Sequence, residues 1–187
     1  MRLLVTRPDE DAGPLMAVLE AMGHQAFHMP LMVIRYLDAE IPVRDWQALL
    51  VTSANGVRAL AARQVVARLA AVPVMAVGEA SAAAARAAGF QSVTASGGDV
   101  GRGYGVERVV LYEAEVASSL PEAGRGLITG GGVDGVLFFS PRTAVTFAGL
   151  VRDEGLGVHL ARLSAFCLSQ AVADALKTSG FGQVLVS

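Results

Sequence analysis

Residues 49–60, "LLVTSANGVRAL", and residues 136–147, "VLFFSPRTAVTF", follow the same pattern. Each opens on a short apolar run of strand type, passes a serine, and continues with the spacing of a helix. The likeness sets Ser53 opposite Ser140. A second pair extends it. Residues 76–93, "AVGEASAAAARAAGFQSV", parallel residues 167–184, "CLSQAVADALKTSGFGQV", with Gly78 opposite Ser169 and Gly89-Phe90 opposite Gly180-Phe181. A strand–turn–helix–glycine–strand unit that recurs in order is an internal repeat. Strands alternating with helices in two similar halves predict two α/β lobes, each a parallel sheet flanked by helices.

The flanking segments fit that scheme. Leu3–Val5 is a short apolar run, and Pro8 with the acids at 9–11 suits the first turn of a helix. Leu15, Val18, Leu19 and Met22 give it helical periodicity, and Gly23 stops it. "QAFHMPLMVIRYL" (25–37) reads as extended, and "DAEIPVRDW" (38–46) as a polar connector. "VERVVLYEAEV" (106–116) reads as a strand from its β-branched content, with Tyr112 ending its apolar part. "ASSLPEAGRGLITGGG" (117–132) reads as a loop or a weak helix.

Composition narrows the class. Of 187 residues, 53% are hydrophobic and 17% charged, which excludes disorder. A net charge of −2 gives no reason to expect a nucleic-acid partner. No apolar run approaches the roughly 20 residues that cross a bilayer, and the N-terminus turns acidic after six residues. Cys167 is the one cysteine, and no Cys/His cluster has metal spacing. The expectation is a soluble, cytoplasmic protein with no metal and no membrane or nucleic-acid partner.

The glycines of "SGGDVGRGYGVERVVLYEAEV" (96–116) invite a nucleotide-loop reading and fail it. A dinucleotide fingerprint needs a strand before it and a helix directly after, and here a strand is expected to follow. "LITGGGVDG" lacks the Lys-Ser/Thr of a phosphate loop.

Candidate binding residues come from the turns instead. Parallel sheets place ligands beyond the carboxyl ends of their strands, at helix N-termini. Thr6-Arg7, Thr52-Ser53-Ala54-Asn55, Gly78-Glu79-Ala80-Ser81, Ser140-Pro141-Arg142 and Ser169-Gln170 fall there. Capping, worth about 1 kcal/mol, explains any one of them. Five on one expected rim resemble an anion-binding surface in a cleft between the lobes. Arg7, Arg35, Arg58 and Arg142 are the nearby cations, suited to carboxylates. A solvated helix face is an equally simple account of Arg58. His24, His28 and His159 share no spacing that suggests a site, and Cys167 reads as a core thiol. Tyr112, where the chain is expected to leave a lobe, offers a hydroxyl for proton donation, or an interface aromatic with a wet hydroxyl.

Six segments in order, "LLVTRP", "LLVTSANGVRAL", "VMAVGEASAAAARAAGF", "VERVVLYEAE", "VLFFSPRTA" and "CLSQAVADAL", together resemble the uroporphyrinogen-III synthase family and cover most of the chain. The resemblance implies a bilobal fold: residues 1–34 and 120–187 in lobe one, 42–111 in lobe two, and 35–41 and 112–119 as two-stranded linkers. It implies a lyase that cyclises hydroxymethylbilane to uroporphyrinogen III, inverting ring D and losing water. That step serves tetrapyrrole biosynthesis, toward haem, cobalamin or chlorophyll, without a cofactor or metal. It places the family's functional tyrosine on Tyr112, assisting the leaving hydroxyl, and gives Arg7, Thr52, Ser53, Asn55, Gly78, Ser81, Ser140, Arg142 and Ser169 to substrate binding. The expected partners are hydroxymethylbilane and, by hand-over, hydroxymethylbilane synthase; a monomer is expected.

The chain departs from the family's pattern near residues 100–101. The family has a helix, a strand and another helix between "GGD" and the tyrosine-bearing strand, about 35–45 residues by ordinary element lengths. Here "GGDV" runs straight into "GRGYGVERVV", so lobe two is expected to be short. The main rival reading is a non-catalytic two-lobe small-molecule binding module. A flavodoxin-like regulatory domain is weaker, because the acid cluster of a phosphorylated receiver is missing.

Overall fold

The computed structural model describes residues 1–96 and 105–187. In chain order its elements are β1 (Arg2–Val5), α1 (Asp9–Ala21), β2 (Gln25–His28), β3 (Met32–Tyr36), β4 (Leu49–Val51), α2 (Ala54–Ala62), α3 (Val66–Leu69), β5 (Val74–Val77), α4 (Glu79–Ala87), β6 (Val93–Ser96), β7 (Tyr112–Val116), α5 (Glu122–Thr129), β8 (Gly135–Phe138), α6 (Pro141–Asp153), β9 (Ser164–Cys167), α7 (Gln170–Asp174) and β10 (Gln183–Val186). A 3-10 turn, Gly157–Arg162, precedes β9. Backbone packing divides the chain into two units, Met1–Val33 with Ala114–Ser187, and Ile34–Glu113. The seam near residues 100–101 lies outside the described residues.

The first unit is built on a sheet of order β10-β9-β8-β1-β2, with every neighbouring pair parallel. Its interior strand β1 is apolar without alternation from Leu3 to Val5 because both faces are covered. Leu4 joins Phe138, Phe147 and Leu163 on one side, while Leu3 and Val5 meet Ala12 and Leu19 of α1 on the other. Phe138 meets Phe147 edge-on at 5.2 Å, and Phe181 stacks on Phe147 at 5.7 Å. The buried stripe of α1 differs from the expected one. Ala12 and Leu19 face the sheet with Leu15 and Met16 beside them, whereas Val18 and Met22 are exposed. The stretch after residue 117, open to a loop or a weak helix in the sequence, contains the helix α5, whose Ile128 is fully buried in the main core.

The second unit holds a three-stranded parallel sheet, β4-β5-β6, packed by α2 and α4. Its core gathers Val57, Leu60, Leu69, Val74, Ala85 and Phe90. The internal repeat maps β4, β5 and β6 onto β8, β9 and β10, and the observed strand order agrees. One difference stands out: β8 pairs on its other side with β1, whereas β4 pairs with β5 alone among the described residues.

β3 and β7 form a separate two-stranded sheet at the junctions of the two units. The Leu37 N–H donates to Leu111 and the Ala117 N–H to Leu31, so these strands run antiparallel. Here the strand expected over 106–116 is corrected. Residues 105–111 carry no strand, and Tyr112 opens β7 instead of ending the strand's apolar part. β propensity makes a strand only where a ladder is available. Val106 and Val110 are exposed, and besides the Leu111 carbonyl the segment is held by Leu111 packed against the core and by an Arg44–Glu107 ion pair.

Candidate functional site

The best-assembled polar group lies at the head of α2, in the second unit. β4 ends at Val51, Thr52 is exposed, and Ser53 adopts extended backbone as the N-cap of α2. Its Oγ accepts the Asn55 N–H at 3.1 Å, which satisfies one of the helix's free donors. The Tyr112 hydroxyl donates to the same Oγ at 3.0 Å. The Tyr112 ring passes over Gly56, where a Cβ would stand 3.8 Å from Cε1. Asn55 Oδ1 in turn accepts from Arg58 Nη1 at 2.5 Å. Tyr112, Ser53, Asn55 and Arg58 thus form a chain of contacts on one helix start. The first turn of α2 has no acid, so the helix's partial positive charge and the guanidinium act together. This arrangement suits an anionic, hydroxyl-bearing ligand.

The neighbouring strand end is plainer. Gly78 caps α4 and its N–H donates to the Ser96 carbonyl at 3.0 Å, so that donor is spent. Ser81, another of the substrate-binding candidates, points inward. It is 4% exposed on the face of α4 that also buries Ala82 and Ala85. Helix spacing turns the third residue past the cap inward, which the run of serines and alanines does not disclose.

In the first unit, the rim of the five-stranded sheet carries the remaining candidates. Arg7 follows β1; its guanidinium lies 4.1 Å from the Phe139 ring centroid and its carbonyl bonds His28 Nε2 at 2.9 Å. Ser140 caps α6, accepting the Thr143 N–H at 3.1 Å, with Thr143 Oγ1 at 2.8 Å. Arg142 donates to the Ala114 carbonyl at 2.8 Å. Ser169 caps α7 without a side-chain bond and is exposed. Cys167 is buried, and burial pushes its thiol above the ordinary range, as a core thiol requires.

Two features escape the sequence. The Asn55–Arg58 bond is signalled only by its i,i+3 spacing, which many solvated pairs share. His28 holds Arg7's backbone from 21 residues away, and no local pattern announces it. Among the described residues, no group of three or more His, Cys, Asp or Glu is placed to hold a metal. No helix among them is long and apolar enough to cross a membrane.

The family model described as "Uroporphyrinogen-III synthase HemD" matches residues 14–102 and again residues 100–187, nearly the whole chain. The chain belongs to the uroporphyrinogen-III synthase family. Solved structures from that family share its fold. A uroporphyrinogen-III synthetase from Helicobacter pylori aligns over 100% of this chain and 92% of its own, with TM-score 0.62 and 14% identity. A mutant uroporphyrinogen III synthase from the extremely thermophilic bacterium Thermus thermophilus aligns over 99% and 92%, with TM-score 0.50 and 19% identity. No curated protein sequence matches the chain. The two matched stretches of the family model overlap at residues 100–102.

Proposed function

We propose that the chain is a cytoplasmic lyase that closes hydroxymethylbilane to uroporphyrinogen III with inversion of ring D and loss of water. Family membership supports the reaction class. The single observation that carries the assignment of roles is the Tyr112 hydroxyl, held by Ser53 on the head of α2 beside Asn55 and Arg58. Tyr112 protonates the departing hydroxyl, the substituted position of ring D attacks the resulting azafulvene, and the spiro intermediate fragments and recloses. Thr52 and Asn55 on the second unit, and Arg7, Ser140, Arg142 and Ser169 on the first, serve substrate binding in this reading. Arginines and helix N-termini suit a substrate rich in carboxylates even at a net charge of −2.

The test is to supply hydroxymethylbilane and identify the ring isomer. Spontaneous closure gives the uninverted type I ring, so the expected type III product requires the protein, and type I alone sinks the proposal. Tyr112→Phe is expected to lower kcat by roughly a hundredfold or more with an unchanged circular dichroism spectrum, the scale of a lost general acid. A wild-type rate in that variant removes Tyr112 from the reaction. The three-stranded sheet of the second unit favours one alternative, a binding module without turnover. That alternative predicts tight binding of hydroxymethylbilane with only type I product.

A further inference from the structure

The Ser53 hydroxyl has two neighbours, and its one proton and two lone pairs limit what it does between them. One lone pair is committed to the Asn55 N–H at 3.1 Å, which fixes the side chain on the head of α2. The Ser53 carbonyl also receives the Val57 N–H at 3.3 Å, so the residue is anchored at both its backbone and its side chain. One lone pair and one proton remain for the second neighbour, the Tyr112 hydroxyl at 3.0 Å. That bond therefore works in either direction. The phenol donates to serine at rest, and serine donates to the phenol oxygen once the phenol proton has gone elsewhere.

Resting on the reaction proposed above, we infer that Ser53 is a positioning residue for Tyr112 and not a contact for substrate carboxylates. Tyr112 gives its proton to the leaving hydroxyl. The carbon–oxygen bond breaks, the adjacent pyrrole nitrogen supplies the electron pair, and water departs. The phenolate left behind accepts the Ser53 O–H, and the proton shed at ring closure restores the phenol. Ser53 itself loses no proton over the cycle. A hydrogen bond to an ionised oxygen is about twice as strong as one between neutral groups, so Ser53 contributes most when the charge has formed. The Tyr112 ring rests over Gly56, which has no side chain to offer the phenol oxygen, so on this turn of α2 the support comes from Ser53.

Ser53→Gly separates this role from helix capping, since glycine at an N-cap is nearly as favourable as serine. The variant is expected to lower kcat roughly ten- to hundredfold while KM for hydroxymethylbilane stays within about twofold. In the Tyr112→Phe background the same substitution is expected to change kcat by less than about twofold, because the oxygen it serves is gone. A raised KM with kcat unchanged overturns the inference and returns Ser53 to substrate binding. Equal losses in both backgrounds also overturn it, since Ser53 then acts without Tyr112. Type III product from the unmodified chain is measured first. Its absence removes the proposed function and this inference together, whereas type III product with an unaltered Ser53→Gly rate overturns this inference alone.

Discussion

Asp134 meets Arg2 twice. One carboxylate oxygen takes the Arg2 backbone N–H at 2.7 Å and the other takes its guanidinium at 2.7 Å, while the Asp134 N–H returns to the Arg2 carbonyl at 2.8 Å. The pair sets β1 beside β8 at the start of their ladder. The Arg2 guanidinium, and then the Arg2 N–H, hold the Asp134 carboxyl below its ordinary range. A carboxyl depressed in the folded state stabilises above its unfolded value, about 3.9, and that contribution is lost as pH falls through the lower folded value. Asp134→Asn is therefore expected to lower the denaturant midpoint at neutral pH, with the gap to wild type closing below about pH 4. A gap independent of pH would deny the charge any part in it. Nothing local announces this contact, because 132 residues separate the partners. Ser53 and Ser140 are legible for the opposite reason. A helix cap is written within four residues, and both serines cap as their sequence predicts. The burial of Ser81 is not legible, because the same short-range pattern does not say which way a helix turns its third residue.

At the scale of elements, the internal repeat makes the fold legible. Its first pair of strand–turn–helix units is β4–α2 and β8–α6, and its second is β5–α4 and β9–α7. Residues 106–111 depart from expectation because a strand needs an edge to pair with, and sequence propensity does not report edges. Helix α5 is obscured because Gly124 and Gly126 weaken its propensity, while burial of Ile128 overrides them. Glycine's meaning likewise depends on the element around it. Gly135 lies in β8 with Phe166 and the Ser164 carbonyl so near that a Cβ would sit 2.6 Å and 2.8 Å from them. Gly149 lies within α6, where a Cβ would come no nearer than 4.0 Å to Arg152 Nη2 of the same helix. Gly135→Ala is expected to destabilise by about 1–3 kcal/mol through overpacking against backbone that cannot retreat. Gly149→Ala is expected to stabilise by up to about 1 kcal/mol through helix propensity. Urea midpoints of the two variants check both signs, and a shift in the same direction for both would refute the steric account of Gly135.

Taken as a whole molecule, the chain joins two units of unequal provision. The first unit buries Phe138, Phe147, Leu163 and many neighbours around interior strands paired on both sides. The second rests on the smaller cluster around Val57, Val74 and Phe90, under three strands. β4 there occupies the place that β8 holds in the repeat, yet no strand pairs its outer side among the described residues. Unpaired edge groups gain nothing from a ladder, and a small apolar cluster offers less to offset chain entropy. Opening free energies are therefore expected to differ between the units, since local stability follows buried apolar contact and satisfied backbone bonds. Native-state amide exchange in increasing denaturant measures this directly. The amides of β4, β5 and β6 are expected to exchange through an opening of lower free energy than those of β1, β8 and β9. One shared opening free energy for all six strands would mean that the two units unfold as one body and that the missing strand pairing costs the second unit nothing of its own.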